Sequence, residues 1–284
     1  MRGIAVSRQS IAALVLIAVI GIPTAIVVYG RSAARDIAVS PGAAAAAGSA
    51  QAAQTSRAPA SPAERALERA RKDGKYAFLL FYRPKDDGDA KMRDVFDRAQ
   101  TRLAGKAAFV SVDVGAKAES RLIEQYAVSK APLPLTLVMA PNGAVVNAFP
   151  KAVDEKTLAG AFVSPKVAEV SKALQDRKLV TLCLQNARTK HNAESRRAAQ
   201  QFVGDSSLQG QAVLVTADPA AEAELLKRCG ITGGLSESTL VVLLPPGQLV
   251  AKVAGATTKE DLLAKLQAAL AACGSGCGPS GCGQ

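Results

Sequence analysis

Residues 78–92 read FLLFYRPKDDGDAKM. The apolar run from Phe78 to Tyr82 has the length and composition of a strand, and it stops at a short polar turn. The turn feeds a helical segment expected to begin near Asp89. Further on, Ala131-Pro-Leu-Pro-Leu-Thr-Leu-Val-Met leads a second apolar run into an Asn142-Gly143 turn. The local order is therefore strand, loop, helix, then a proline-led strand with a glycine hairpin.

That order resembles the thioredoxin fold. In that family the turn before the helix carries Cys-x-x-Cys followed by a basic residue and often Met. Lys91-Met92 is kept here, but the four preceding positions are Asp87, Gly88, Asp89 and Ala90. By the same resemblance Pro134 takes the place of the family's cis-proline, which borders a groove for extended peptide. Pro132 is an additional proline two residues earlier. If the bond before Pro134 is cis, a peptide groove survives the loss of the cysteines. A proline that only sets the turn into an edge strand is the equally weighted alternative.

Working outward, the chain repeats. Ser61-Pro62 recurs 103 residues later as Ser164-Pro165, and Asn142-Gly143 recurs 104 later as Pro246-Gly247. Ala108-Phe-Val-Ser-Val-Asp recurs in character as Ala212-Val-Leu-Val-Thr-Ala. Each unit reads helix, strand, helix, strand, helix, hairpin, helix. First strands are expected near 76–82 and 178–184, second strands near 108–114 and 211–216, and hairpins near 135–149 and 239–254. Ser61-Pro62-Ala63-Glu64 is a capping box for the first helix, and Thr257-x-x-Glu260 is read as another for the last. The expected class is α/β, two tandem thioredoxin-like three-layer domains, each a mixed sheet with helices on both faces. The domains span 61–163 and 164–272. In the second copy, Ser238 stands where the proline is expected, and His191 to Glu194 replaces the redox motif. Both copies lack the cysteine pair.

Thiol exchange of the family's kind needs a thiolate at a helix N-terminus and a second thiol to resolve the mixed disulfide. Asp87 and Asp89 supply neither. Carboxylates there are read as helix caps that complement the dipole, with no nucleophile or base partner nearby for acid/base work. The flanking Lys85 and Lys91, and the lack of calcium-loop spacing, count against a carboxylate metal site. His191 is the only histidine. It is read as a solvated residue beside Arg188, Lys190, Arg196 and Arg197.

The remaining segments set the context. Ile11 to Tyr29 is 19 residues without a charge, bracketed by Arg2 and Arg8 before it and Arg31 and Arg35 after it. A bilayer core takes about 20 apolar helical residues. The stretch reads as an uncleaved signal anchor with residues 1–10 cytoplasmic, although Ser32-Ala33-Ala34 would permit cleavage. Residues 30–60, rich in Ala, Ser, Gln and Pro, form a linker. The expected protein is single-pass in the cell membrane, with its bulk outside the cytoplasm, in the periplasm if bacterial. Net charge is +11, distributed as +4 over 1–62, +5 over 63–166 and +2 over 167–284. With no dense Lys/Arg run and aromatics at 4%, nucleic acid is not an indicated partner; the membrane and extracytoplasmic polypeptides are. Trp is absent, and the core is expected to be built from Ala, Val and Leu.

Five cysteines are present. Cys183 falls mid-strand, Cys229 ends a helix, and a bond between the two is left open. Cys273, Cys277 and Cys282 crowd the Gly-rich tail, 273–284, which has almost no apolar side chains to pack. Three readings fit the tail: a soft-metal site, where three sulfurs suit Cu(I) and structural zinc wants a fourth ligand; a mobile redox arm; or a cross-link. Ligand density places metal first. The functional expectation is a non-catalytic binding, scaffold or redox-accessory protein. The alternative is an oxidoreductase whose thiols have moved to the tail.

Overall fold

The computed structural model describes residues 60–274. The expected anchor at 11–29, its linker up to residue 59, Cys277 and Cys282 lie outside the described residues. Among the described residues, no helix is long and apolar enough to cross a membrane.

Helix α1 (Pro62–Lys72) opens with the expected capping box: the Ser61 hydroxyl accepts from the Glu64 N–H, and the Glu64 carboxylate accepts from the Ser61 N–H. Strands β1 (Tyr76–Tyr82), β2 (Ala107–Asp113), β3 (Leu135–Met139) and β4 (Val145–Phe149) form one sheet in the order β2-β1-β3-β4. β1 runs parallel to β2 and antiparallel to β3, as the crossover helix α2 (Asp87–Leu103) and the β3–β4 hairpin require. α3 (Ser120–Gln125) and α4 (Glu155–Ala159) complete the unit. After α5 (Pro165–Gln175), the pattern returns: β5 (Leu179–Leu184), α6 (Asn192–Val203), β6 (Ala212–Ala217), α7 (Ala223–Arg228), β7 (Thr239–Leu244), β8 (Gln248–Ala254) and α8 (Lys259–Gly274). The second sheet has the order β6-β5-β7-β8, with the same directions. Two mixed four-stranded sheets with helices on both faces are thus the observed architecture, as the repeat implied.

Each sheet separates two cores. On β1, Phe78 and Leu80 face one cluster while Ala77, Leu79 and Phe81 face the other, so the central strand is apolar throughout. On β5, Val180, Leu182 and Leu184 face one side and Leu179 and Cys183 the opposite. The Ala/Val/Leu core expected from composition holds for the second domain, whose one aromatic is Phe202. It fails for the first. Six of the seven Phe residues fall there, and Phe78 stacks on Phe109 at 4.8 Å while Phe96 meets Phe109 edge-on at 4.8 Å. A low overall aromatic content concealed an uneven distribution.

The repeat extends to a buried polar tie. Ser61 Oγ donates to Glu119 at 2.5 Å, and Ser164 Oγ donates to Glu222 at 2.5 Å; both pairs are 58 residues apart. Both glutamates are buried, and each pins the helix N-terminus against the segment following the second strand. The last helix is capped one residue later than expected. Thr258 and Asp261 form the box, with Asp261 N–H donating to Thr258 Oγ1 at 3.2 Å and the hydroxyl reaching Asp261 at 3.0 Å.

The domains meet through α5. Asn142 Nδ2, at the tip of the β3–β4 turn, donates to the Ala168 carbonyl at 2.8 Å. The Gln175 amide accepts from Val145 N–H at 3.0 Å and donates to Val145 O at 2.7 Å, standing in for a neighbouring strand on the β4 edge. Ala168 joins the first domain's core, whereas Val167, Val170 and Ala173 join the second's.

Candidate functional site

In the first domain, the degenerate motif lies where β1 hands over to α2. The cap is Asp86, not Asp87 or Asp89: its Oδ1 accepts from Gly88 N–H at 2.9 Å and Asp89 N–H at 3.3 Å. Asp89 turns inward. It is 1% exposed, and its Oδ2 accepts from Arg83 N–H at 2.5 Å, tying the loop down from below. Asp87, Gly88 and Ala90 are exposed on the first turn, where the Asp87 carboxylate complements the dipole. Met92 is fully buried, and the Arg93 guanidinium lies 4.9 Å from the Tyr82 ring centre. No atom in Asp87–Ala90 can serve as a thiolate nucleophile or be resolved to a disulfide.

Facing this loop, the Leu133–Pro134 peptide is cis. Pro134 is buried, Leu133 half-buried and Pro132 exposed. Since both prolines lack an N–H, Leu133 provides the only donor across 132–134. No hydrogen bond joins residues 131–134 to the 83–86 loop among the described residues, and Leu133 N–H has no partner there.

The second domain is built differently at the equivalent place. Three residues, 83–85, separate β1 from the cap of α2, whereas six, 185–190, separate β5 from His191, the cap position of α6. The longer loop is braced internally. Asn186 N–H donates to Thr189 Oγ1 at 2.9 Å, Asn192 Nδ2 donates to Asn186 O at 2.7 Å, and Asn186 Nδ2 donates to Asp218 at 2.8 Å. That last bond holds the Asp218 carboxyl below its ordinary range. The brace carries Lys190 onto the segment before β7. Lys190 N–H donates to Ser236 O at 3.0 Å, Ser238 N–H donates to Lys190 O at 2.9 Å, and Lys190 and Glu237 form a parallel bridge. Gly255 N–H then donates to Ser238 O at 2.8 Å. Gly255 has φ +80°, and a Cβ on it would lie 2.9 Å from the Glu237 carboxylate and 3.8 Å from the His191 ring, so this crossing needs glycine. His191, Arg188, Lys190, Arg196 and Arg197 are all exposed.

Among the described residues, the two cysteines of the second domain do not converge. Cys183 and Cys229 are free and buried on opposite faces of the second sheet, which rules out a bond between them. Burial pushes both thiols up; for Cys183 this is partly offset by Ser238 and Arg196, and for Cys229 by Lys252 and Arg228. Cys273 falls in the last turn of α8. Among the described residues, no group of three or more His, Cys, Asp or Glu could hold a metal. The Lys190–Ser238 bridge escaped the sequence reading. Its one trace was the replacement of the expected proline by Ser238.

No protein-family model matches the chain, and no curated protein matches it. Solved structures do. The germline-specific thioredoxin Deadhead of Drosophila melanogaster is 23% identical over 34% of this chain and 84% of its own, with a TM-score of 0.29. Thioredoxin-2, a component of the malaria parasite's protein secretion machinery, is 15% identical over 30% of this chain and 79% of its own, with a TM-score of 0.28. The first two thioredoxin domains of Saccharomyces cerevisiae Eps1p are 9% identical over 71% of this chain and 94% of theirs, with a TM-score of 0.30.

Proposed function

We propose, for a chain built of two tandem domains of thioredoxin-like fold, a non-catalytic role in holding extracytoplasmic polypeptides. The binding edge is the 131–134 segment of the first domain, beside the 83–86 loop that leads into α2. The observation that carries this reading is the open backbone there: Leu133 N–H is unpartnered and nothing bridges the segment to the facing loop. An extended peptide satisfies such an edge by adding main-chain hydrogen bonds. Residues 11–29 anchor the protein in the cell membrane, with both domains outside the cytoplasm and the 30–60 linker holding them off the bilayer. The tail thiols Cys273, Cys277 and Cys282 form a soft-metal site for Cu(I) or, with a fourth ligand, zinc.

The full chain in detergent tests the binding and metal assignments, and spheroplasts test the topology. The full chain in detergent should not accelerate insulin reduction by dithiothreitol. A robust rate lost in the C277S or C282S variant would transfer the function to a thiol–disulfide oxidoreductase using the tail as a redox arm. In the same preparation, intact-mass measurement after reduction and Cu(I) or Zn(II) loading should show retained metal. A metal-free mass would remove the metal assignment. Domains that resist protease in spheroplasts would overturn the topology.

A further inference from the structure

Each domain fastens its last helix to its central one by an ion pair, and the two pairs have opposite polarity. In the first domain Arg102 Nε lies 2.9 Å from the Glu155 carboxylate; in the second, Lys259 Nζ lies 3.2 Å from Asp205. The positions correspond. Glu155 opens α4 as Lys259 opens α8, and Arg102 and Asp205 each stand ten residues beyond a buried residue on the inner face, Met92 or Ser195. Buried Phe96 and Ala99 on α2, against Ala199 and Phe202 on α6, keep the same register. We propose that the reversal is a specificity device. It tells the two C-terminal units apart, so that β3–β4–α4 docks on β1–α2 alone and β7–β8–α8 on β5–α6 alone.

The backbone does not make this distinction. Each unit is an antiparallel hairpin with a helix behind it, and each pairs antiparallel to its central strand. Exchanging the units would set Lys259 against Arg102 and Glu155 against Asp205, like charges at both contacts. Discrimination of this kind rests on repulsion in the wrong pairing as much as on attraction in the right one. Position 259 carries the signature of such a device. Glu155 suits the positive end of a helix dipole, whereas Lys259 opposes it, although the next two residues, Glu260 and Asp261, follow the usual preference. The locally unfavourable cation is accounted for by Asp205. Glu260, 3.9 Å from Lys259, travels with it in either pairing and discriminates nothing. Glu155, Asp205 and Lys259 are mostly covered, at 21%, 17% and 32% exposure, and Arg102 reaches in from solvent. The charges act when the hairpin–helix units first meet the central strands, before side-chain packing is fixed.

The test uses the full chain in detergent, unfolded in urea and refolded by dilution. R102D/E155K gives the first domain the second's polarity. It keeps both native pairs attractive and removes the repulsion from both exchanged contacts. Its native urea midpoint should match the wild type, while its yield of refolded monomer should fall roughly twofold to fivefold. In the fraction that fails, a zero-length carbodiimide, which joins an amine to a touching carboxylate, should link Lys259 to position 102 and position 155 to Asp205. D205R/K259E, the opposite one-sided reversal, should lose yield to a similar degree. The fourfold variant R102D/E155K/D205R/K259E sets the polarities opposite again and should regain the wild-type yield. Wild-type yield in either one-sided reversal, absence of the exchanged links, or no recovery in the fourfold variant would overturn the proposal. So would a fall in the native urea midpoint of R102D/E155K that accounts for its lost yield, since the pair would then act on stability and not on choice of partner.

Discussion

At the scale of single residues, the most informative groups are hydroxyls without partners. Among the described residues, Thr136 Oγ1 and Thr181 Oγ1 are buried with no hydrogen bond. An unsatisfied buried polar group costs about 1–3 kcal/mol, and an isosteric apolar replacement recovers part of that. Thr136 sits on β3 opposite Leu80, fully buried, so T136V keeps its shape and removes the orphan oxygen. It should stabilise the chain by ~1 kcal/mol in urea unfolding, with an unchanged m-value; a loss of stability would mean the hydroxyl has a partner in solution. The sequence marked the neighbourhood of these residues but not their state. The run Phe78–Tyr82 announced a central strand because both its faces are apolar. Three aspartates at 86, 87 and 89 did not announce which one caps, because any of them has the right side chain. The choice of Asp86 depends on where the backbone enters the helix, and Asp89 is drawn inward by the Arg83 amide.

At the scale of elements, α8 shows how a helix is fastened by one loop carboxylate. Asp205 accepts from the Ser207 hydroxyl at 2.7 Å and the Ser207 N–H at 3.0 Å, and Lys259 at the start of α8 donates to it at 3.2 Å. These bonds hold the Asp205 carboxyl at about 2, below its ordinary 3.8. Because the folded-state value is depressed, the stabilisation is complete above the unfolded-state value and is lost as pH falls from about 4 to about 2. D205N should therefore lower stability near pH 7, with the gap to wild type closing as pH falls through that window, so that its acid limb is flatter, measured by thermal melts across pH. An unaltered acid limb in D205N would discount the contact. The elements themselves were largely legible, because cap residues, glycine turns and apolar period all pointed one way. The single-residue slip at Thr258 arose because two adjacent threonines both precede an acidic residue by three. The Ser–Glu ties were also within reach: Glu119 and Glu222 share the 103-residue spacing already visible at Ser61 and Ser164.

At the scale of the whole molecule, the repeat predicts two copies but not how they join. The joint is α5, and its most specific contact is the Gln175 amide on both backbone groups of Val145. Each net hydrogen bond contributes about 0.5–1.5 kcal/mol, so Q175A should weaken the coupling by about 1–3 kcal/mol. Calorimetry should then resolve two unfolding transitions where the wild type shows greater overlap; an unchanged thermogram would show that the domains are held by other contacts. Sequence alone gave no sign of this joint, because a glutamine on a helix surface looks the same whether it meets water or a strand edge. The backbone bridge between Lys190 and the segment before β7 was hidden for a related reason. It is written in backbone hydrogen bonds, which depend on loop length and on the Ser238 N–H, which a proline would lack.

The sharing of α5 also bears on the order in which the chain becomes complete as it is made. Ala168 and Gln175 finish the first domain's core and seal its β4 edge, yet they lie beyond Ser164, where the second repeat begins. A nascent chain halted at residue 163 would therefore carry all four strands of its first sheet and still expose one unsealed edge. Such edges are where partly made proteins pair with the wrong neighbour. Synthesis must run on through Gln175 before that hazard closes, so the first domain matures only when the second has begun.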